Sequence, residues 1–265
     1  MSSTPPIIVE DLQGGYNGVP VIHGCNMEIS QGEIVVIMGG SGSGKSTFLK
    51  HLIGLKEPMI GDVKLFGQSL YKTSPYERMG LLKGIGVAFQ SGALMSSMTI
   101  AENVALPLRE HTDLDEELIQ VITRMKLDFV NLLGKDHLLP SELSGGMLKR
   151  AAVARAIALD PKLTFMDEPS AGLDPVIAAA LDDLIIQLKE SLGMSVAVVT
   201  HELESAFKIA DRIVVLDRGY IIFSGTVDEI KASPNQRIQN LINRIPEEEE
   251  FDAELYAQQL VGGTV

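Results

Sequence analysis

The run Ile34-Val-Val-Ile-Met38, followed at once by Gly39-Gly-Ser-Gly-Ser-Gly44-Lys45-Ser46, constrains this chain more than any other stretch. Five consecutive apolar residues ending at glycines read as a short strand buried on both faces, as in a parallel sheet covered by helices. The glycine-rich stretch has the spacing G-x-x-x-x-G-K-[ST], and a helical pattern from Lys45 to about Leu55 follows it. In such a turn successive backbone N–H groups point inward at phosphate. The helix N-terminus adds unpaired N–H groups and the positive end of its dipole. Gly39, Gly40, Ser41, Gly42, Ser43, Gly44, Lys45, Ser46 and Thr47 are therefore candidate phosphate-binding residues. Lys45 is expected on the β- and γ-phosphates and the Ser46 hydroxyl on Mg2+.

Other stretches repeat the strand signal. Leu163–Met166, Val196–Val199 and Ile213–Leu216 are short apolar runs. Pro175–Leu192 reads as a helix, with Asp174 as N-cap, Pro175 in the first position and Gly193 as the stop. Before Ile34 the pattern is antiparallel, with strands expected over Ile7–Leu12 and Val21–Ile29. A second hairpin is expected from Arg212–Leu216 and Tyr220–Phe223 around Asp217-Arg218-Gly219. Ser91 to Leu159 reads as helix after helix. The expected fold is α/β: one domain over 1–245, with an N-terminal antiparallel β-subdomain and an inserted helical subdomain at about 91–159. An acidic extension over 246–265 follows it.

The 265 residues include 22 Lys plus Arg and 35 Asp plus Glu, a formal charge of −13. That balance disfavours a broad grip on nucleic acid. Part of the acid is local, in Glu247–Glu250, Asp252 and Glu254, so the body is only mildly acidic. A single cysteine, Cys25, excludes an intrachain disulfide and fits a reducing compartment. Met1 to Gly15 lacks the basic and apolar regions of a secretory signal. No apolar run approaches the length of a membrane span, so a soluble, cytoplasmic chain is expected, one compatible with sitting on a membrane through a partner.

Two further motifs carry chemistry. The run Leu163-Thr-Phe-Met-Asp167-Glu168 brings two carboxylates to the C-terminal end of a strand, where ligands bind in open α/β sheets. Asp167 suits Mg2+. Glu168 suits a general base that polarises water toward a γ-phosphate. The second motif, Leu143-Ser-Gly-Gly-Met147, opens a helix running to about Leu159. Ser144 reads as its N-cap, and Gly145 and Gly146 leave N–H groups accessible to an anion.

With the run Lys149-Arg150-Ala-Ala-Val-Ala-Arg155-Ala156 and the segment Met166-Asp-Glu-Pro-Ser-Ala-Gly-Leu-Asp174-Pro175, the chain resembles the ATP-binding cassette (ABC) ATPases over about residues 7 to 240. The resemblance implies a P-loop NTPase fold of ABC type with a RecA-like core, ATP and Mg2+ as ligands, and ATP hydrolysis coupled to transport. It implies that Tyr16 stacks on adenine and that Gln90 touches Mg2+ and senses a membrane partner. It also implies that Ser170 to Asp174 form the D-loop, with Asp174 among the nucleotide-site residues, and that His201 is the switch histidine at the γ-phosphate. Two positions depart from the commonest pattern: Met147 stands where Gln is usual, and Gly40 where Pro is common. Neither removes a phosphate-binding group.

The stretches Phe89–Leu94, Met98–Val104, Leu106–Thr112 and Pro140–Met147 narrow the resemblance to the ATPase subunits of Mla-type phospholipid transporters. That implies a homodimer sharing two ATP molecules, on the cytoplasmic side of an inner membrane. The implied partners are an MlaE-type permease, an MCE-domain protein of MlaD type and a small STAS-domain protein of MlaB type. The implied task is phospholipid movement between inner and outer membranes, which maintains outer-membrane lipid asymmetry. Rival readings are an ABC ATPase for an amino acid or drug, a soluble ABC ATPase without a permease, a nucleotide-binding regulator that does not hydrolyse, and a P-loop kinase or GTPase. A GTPase usually carries Asn-Lys-x-Asp, which is absent. Glu168 and His201 argue against a non-hydrolysing regulator.

Overall fold

A computed structural model describes residues 4–245; the expected acidic extension, 246–265, lies outside them. Ten strands form two sheets among the described residues. A four-stranded antiparallel sheet has the order β2-β1-β4-β5, from β1 (Ile7–Tyr16), β2 (Val19–Ile29), β4 (Ile60–Leu65) and β5 (Gln68–Ser69). A six-stranded sheet has the order β10-β9-β3-β8-β7-β6. It is built from β3 (Ile34–Met38), β6 (Ile85–Ala88), β7 (Leu163–Asp167), β8 (Ser195–Val199), β9 (Arg212–Asp217) and β10 (Tyr220–Gly225). Five of these six strands run parallel, and β10 returns antiparallel beside β9. The α/β class, the antiparallel β-subdomain and the parallel core expected from the pattern are all present.

All five residues of β3 are buried, and strand alternation divides them between two cores. Val35 and Ile37 join Phe165, Ala197, Val199, Val214 and Leu216 on the face turned to the antiparallel sheet and α1 (Lys45–Leu52). Ile34, Val36 and Met38 join Met166, Val196, Val198, Ile213 and Val215 on the other face. That second core is closed by α3 (Ile100–His111), α4 (Glu116–Phe129), α5 (Gly145–Ala156), α6 (Pro175–Leu192) and α7 (Leu203–Ile209). Thr164, the one polar residue in the β7 run, is fully buried and donates its hydroxyl to Met194 Sδ at 2.9 Å.

The helices begin where the sequence marks them. Thr99 and Glu102 form a reciprocal capping box on α3, Ser144 caps α5, and Asp174 caps α6 with Pro175 in its first position. The expected Gly193 stop is left-handed, with φ of 61°. Residues 91–159 hold α3, α4, a 3-10 turn at Pro140–Glu142 and α5, with no strand. Three boundaries differ from expectation. Helix α5 ends at Ala156 rather than near Leu159. Helix α1 stops at Leu52 rather than near Leu55, because Gly54 is left-handed (φ 78°). Strands β1 and β2 run to the tight Asn17-Gly18 turn, interrupted by register shifts that hide their alternation. The chain between 56 and 90 holds β4, β5, α2 (Pro75–Lys83) and β6, which are too short to show a period. Two short helices, α8 (Val227–Lys231) and α9 (Gln236–Ile242), complete the described fold.

Helix α1 carries the end of the glycine loop, so its anchoring matters most for the site. Phe48 is its anchor, fully buried between the sheets. Phe48→Ala is expected to cost about 3–5 kcal/mol of unfolding free energy, read from urea denaturation; a loss below about 1 kcal/mol would mean that α1 is held elsewhere.

Candidate functional site

The parallel strands β3, β7 and β8 deliver their C-terminal ends to one edge of the sheet. From β3 the chain curls through Gly39–Gly44 into α1. Gly44 has φ of 102°, and a Cβ there would sit 2.8 Å from Ile22 Cδ1, so only glycine fits. The turn at Gly219 buttresses the loop from below: its N–H donates to Ser43 O at 2.9 Å and its carbonyl accepts from His23 N–H. A Cβ on Gly219 would lie 1.9 Å from Val21 O. Lys45 Nζ folds back over the loop and donates to Gly39 O (2.8 Å) and Gly40 O (2.9 Å). Burial lowers its pKa, while the charges of Glu168 and Asp167 raise it. Those two carboxylates therefore lie within electrostatic reach of the loop.

Glu168 follows β7 and is 9% exposed. Its backbone is left-handed, φ 46°, a conformation that a glutamate adopts only when its surroundings enforce it. Its N–H donates to Val199 O at 2.8 Å. The in-register pairing of Asp167 with Val199 sets Thr200 and His201 beside it. Thr200 Oγ1 donates to Glu168 Oε2 at 3.1 Å, and His201 Nδ1 lies 2.8 Å from Oε1. His201 itself is exposed, with Nε2 3.6 Å from Glu202 Oε1. Burial, then the adjacent Glu168, raises the pKa of Asp167.

Gln90 is exposed at the end of β6. Its carbonyl accepts from Lys149 Nζ at 2.6 Å, and the same ammonium donates to Glu168 O at 2.8 Å. Beyond it, the Arg155 guanidinium donates to Ala93 O (2.7 Å) and Gly92 O (3.0 Å). Tyr16 ends β1 and is 42% exposed. Hydrogen bonds with Thr47 and Lys50 lower its pKa, and the Lys56 ammonium lies 4.2 Å from its ring centroid.

The remaining expected residues lie apart. Ser144 accepts from Met147 N–H, and Gly146 packs so closely on Ile177 that a Cβ would lie 2.5 Å from its Cγ2. Among the described residues the Ser144–Gly146 turn makes no hydrogen bond to the phosphate loop. The Asp174 carboxylate accepts from Val176 N–H and Ile177 N–H, both at 3.1 Å. One chain thus gathers the phosphate loop, Asp167, Glu168, His201 and, through Lys149, the Gln90 segment. The second glycine turn stays separate. Sequence reasoning missed Thr200 and Lys149: the first looks like the end of an apolar strand, and the second like one more cation in a basic run.

No three His, Cys, Asp or Glu side chains cluster as a metal cage among the described residues. A hydroxyl, an amide and one carboxylate (Ser46, Gln90 and Asp167) suit Mg2+ shared with phosphate oxygens, since that ion commonly takes one or two carboxylates plus substrate phosphates. The raised pKa of Asp167 fits this donor set, because a cation beside it would offset its burial and the neighbouring carboxylate.

A buried polar group sits behind the site. Asp182 on α6 is 4% exposed; its Oδ2 accepts from Ser205 Oγ at 3.0 Å and its Oδ1 has no partner. Ser205 Oγ is 3.4 Å from Ser170 Oγ, between the catalytic-side turn and α7. Burial raises the Asp182 pKa, and Asp183 raises it further, against opposing contributions from Ser205 and Lys208. A folded-state pKa above the unfolded value makes the native state bind the proton more tightly. That contribution is full below the ordinary carboxylate range and is lost as pH rises through the folded pKa. Asp182→Asn is therefore expected to raise the melting temperature at pH 7 and to lose that advantage near pH 4. A variant less stable than the parent at pH 7 would show that ionised Asp182 is a net stabiliser.

Comparison with known proteins agrees with this geometry. The sequence model of the ABC transporter family matches residues 22–171. The intermembrane phospholipid transport system ATP-binding protein MlaF of Haemophilus influenzae is 43% identical over 213 residues, covering 80% of this chain and 81% of that protein. A Mycobacterium leprae protein named "Probable ribonucleotide transport ATP-binding protein mkl" is 37% identical over 237 residues, covering 89% of this chain and 68% of that one. Among solved structures, the dimeric post-hydrolysis state of the ATP-binding cassette MJ0796 bound to ADP and Pi matches with a TM-score of 0.75 at 28% identity. It covers 83% of this chain and 98% of that one. With a family match over more than half its length and a relative this similar across most of both sequences, the chain belongs to the ABC transporter family, as one of its ATP-hydrolysing subunits.

Proposed function

We propose that this protein powers phospholipid transport between inner and outer membranes and so maintains outer-membrane lipid asymmetry. The observation that carries the ATPase half is Glu168, held by Thr200 and His201 at a strand end beside the phosphate loop. The 43% identity to an MlaF protein supports the lipid half. Glu168 acts as general base on the attacking water, and His201 orients that water and the γ-phosphate. Lys45 turns from the Gly39 and Gly40 carbonyls to the phosphates when ATP arrives. Tyr16 stacks on adenine. Ser46, Gln90 and Asp167 would hold Mg2+, which neutralises charge on the β- and γ-phosphates.

The working unit is a head-to-tail homodimer. Ser144, Gly145 and Gly146 cap a helix whose N-terminus is an anion site, yet it makes no bond to the phosphate loop of its own chain. A second copy completes the site, so that ATP lies between the loop of one protomer and the Ser144–Gly146 turn of the other. Asp174 supports the same seam by capping α6, on which that turn packs. ATP closes the dimer, and hydrolysis reopens it.

No helix among the described residues is long and apolar enough to cross a membrane. Attachment to the cytoplasmic side of the inner membrane is therefore through a permease of MlaE type, with MlaD-type and MlaB-type proteins in the same complex. A cavity of about 330 Å³ near the Gln90 segment, lined by Met79, Leu82, Pro107, His111 and Arg155, suits a permease helix. Arg155 also holds Gly92 and Ala93, so movement of a docked helix reaches the Gln90 segment directly.

Glu168→Gln is expected to bind ATP, lose turnover by roughly 100-fold or more and accumulate closed dimers in size-exclusion chromatography. Normal hydrolysis by that variant would move the base elsewhere. Ser144→Arg is expected to abolish turnover while each protomer still binds ATP; full activity would overturn the shared site. Tagged purification from detergent-solubilised membranes, followed by mass spectrometry, tests the substrate. Co-purification of an MlaE-type permease, an MCE-domain protein and phospholipid is the expected result. A permease for ribonucleotides, amino acids or drugs would overturn the lipid reading and leave the ATPase reading intact.

A further inference from the structure

Lys149 lies in α5, five residues after Ser144, and is buried in spite of its charge, at 9% exposure. Its ammonium donates to two backbone carbonyls, Gln90 O at 2.6 Å and Glu168 O at 2.8 Å. These acceptors lie 59 and 19 residues away in sequence. They belong to the segments that leave two adjacent parallel strands, β6 and β7. One side chain therefore ties together α5, the Gln90 segment and the backbone of the strand-end glutamate. A neutral apolar side chain would leave the Gln90 carbonyl without this donor and the Glu168 carbonyl with only the longer bond from Ala171 N–H, at 3.3 Å.

The contact matters because of where Glu168 sits on the backbone map. Its φ of 46° is held from two sides: its N–H is tied to Val199 O and its carbonyl to Lys149. Without Lys149 the Glu168 carbonyl keeps only the longer bond from Ala171 N–H, at 3.3 Å, and the peptide after Glu168 is held less firmly. The carboxylate then turns away from Thr200 and His201, which lie 3.1 Å and 2.8 Å from it. Burial lowers the Lys149 pKa, whereas Glu168 and Asp167 support its charged form. The nearby acids thus favour a charged donor at this point, where an amide or hydroxyl would have shorter reach.

We propose that Lys149 is a positioning residue for ATP hydrolysis. It sets the Glu168 and Gln90 backbones in one register with α5, so that the aim of the base depends on its ammonium. This rests on Glu168 being the base. A displacement of about 1 Å at such a group costs on the order of 100-fold in rate, without a matching loss of substrate binding.

The test uses the purified full-length chain with Mg-ATP, comparing Lys149→Met, Lys149→Arg and Glu168→Gln with the parent. Lys149→Met is expected to lower kcat at least about tenfold while KM and the ATP dissociation constant stay within about twofold, the signature of lost alignment. Lys149→Arg, whose guanidinium keeps several N–H donors, is expected to restore kcat to within about threefold of the parent. A purely structural role would move melting temperature and ATP affinity together with kcat, and that parallel loss overturns the proposal. Turnover of Lys149→Met at the parent rate also overturns it. If Glu168→Gln is inactive while Lys149→Met is fully active, the positioning role fails and the base assignment stands. If Glu168→Gln is fully active, the base assignment itself fails. Should Lys149→Met not fold, Lys149→Gln decides: a fall in kcat of about threefold or more at unchanged ATP affinity supports the role, and parent turnover overturns it.

Discussion

The parallel register of β3, β7 and β8 is the constraint on which the site depends. Val35–Ile37 pair with Ala197–Val199, and Leu163–Asp167 pair with Ser195–Val199. Parallel strands end on the same edge, so the phosphate loop, the carboxylate pair and the Thr200-His201 segment emerge together. A slip of one residue in β8 would exchange the faces that Thr200 and His201 present and break their contacts with Glu168. The backbone ladder and the shape-specific packing of each face against its own core fix the register, since runs apolar on both faces do not fix it by hydrophobicity alone.

Charge is concentrated at that edge. Lys45 and Lys149 flank Asp167 and Glu168, and each cation is held by the acids against its own burial. Asp167 is not fully compensated, because burial and Glu168 both act against its ionised form. Such an edge suits a ligand that brings both negative phosphates, which meet the lysines, and a divalent cation, which meets the carboxylate. Asp182 behind α6 is a second buried carboxylate with one oxygen unpartnered. It is joined through Ser205 to the Ser170 turn.

The two glycine motifs behave differently in one chain. The phosphate loop is locked from several sides by Ile22, Gly219 and its own lysine. The Ser144–Gly146 turn is rigid too, through its cap and its packing on Ile177. Among the described residues, what it lacks is a hydrogen bond to the phosphate loop. Two preformed halves that do not meet within a chain are what a shared interface requires, and rigidity on both sides lowers the ordering cost of joining them.

Much of the site is legible in sequence because its chemistry is carried by local patterns. The glycine spacing, the Asp167-Glu168 strand end, the Ser144 and Asp174 caps and the apolar runs each need only a few adjacent residues to be recognised. The small strands β4, β5 and β6 were not legible, since glycine and polar residues (Gly61, Asp62 and Lys64 in β4, Gln68 and Ser69 in β5, Gly86 in β6) break the apolar runs that mark β3, β7 and β8. Thr200 and Lys149 were missed for a related reason: their partners are 32, 59 and 19 residues distant. Sequence by itself determined which residues can bind phosphate, cap a helix or fill a buried strand, because those properties reside in side-chain type and short spacing. Only the tertiary structure decided which of them meet, because that follows from strand order and register, which place Val199 beside Asp167 and a helix cation beneath both Gln90 and Glu168.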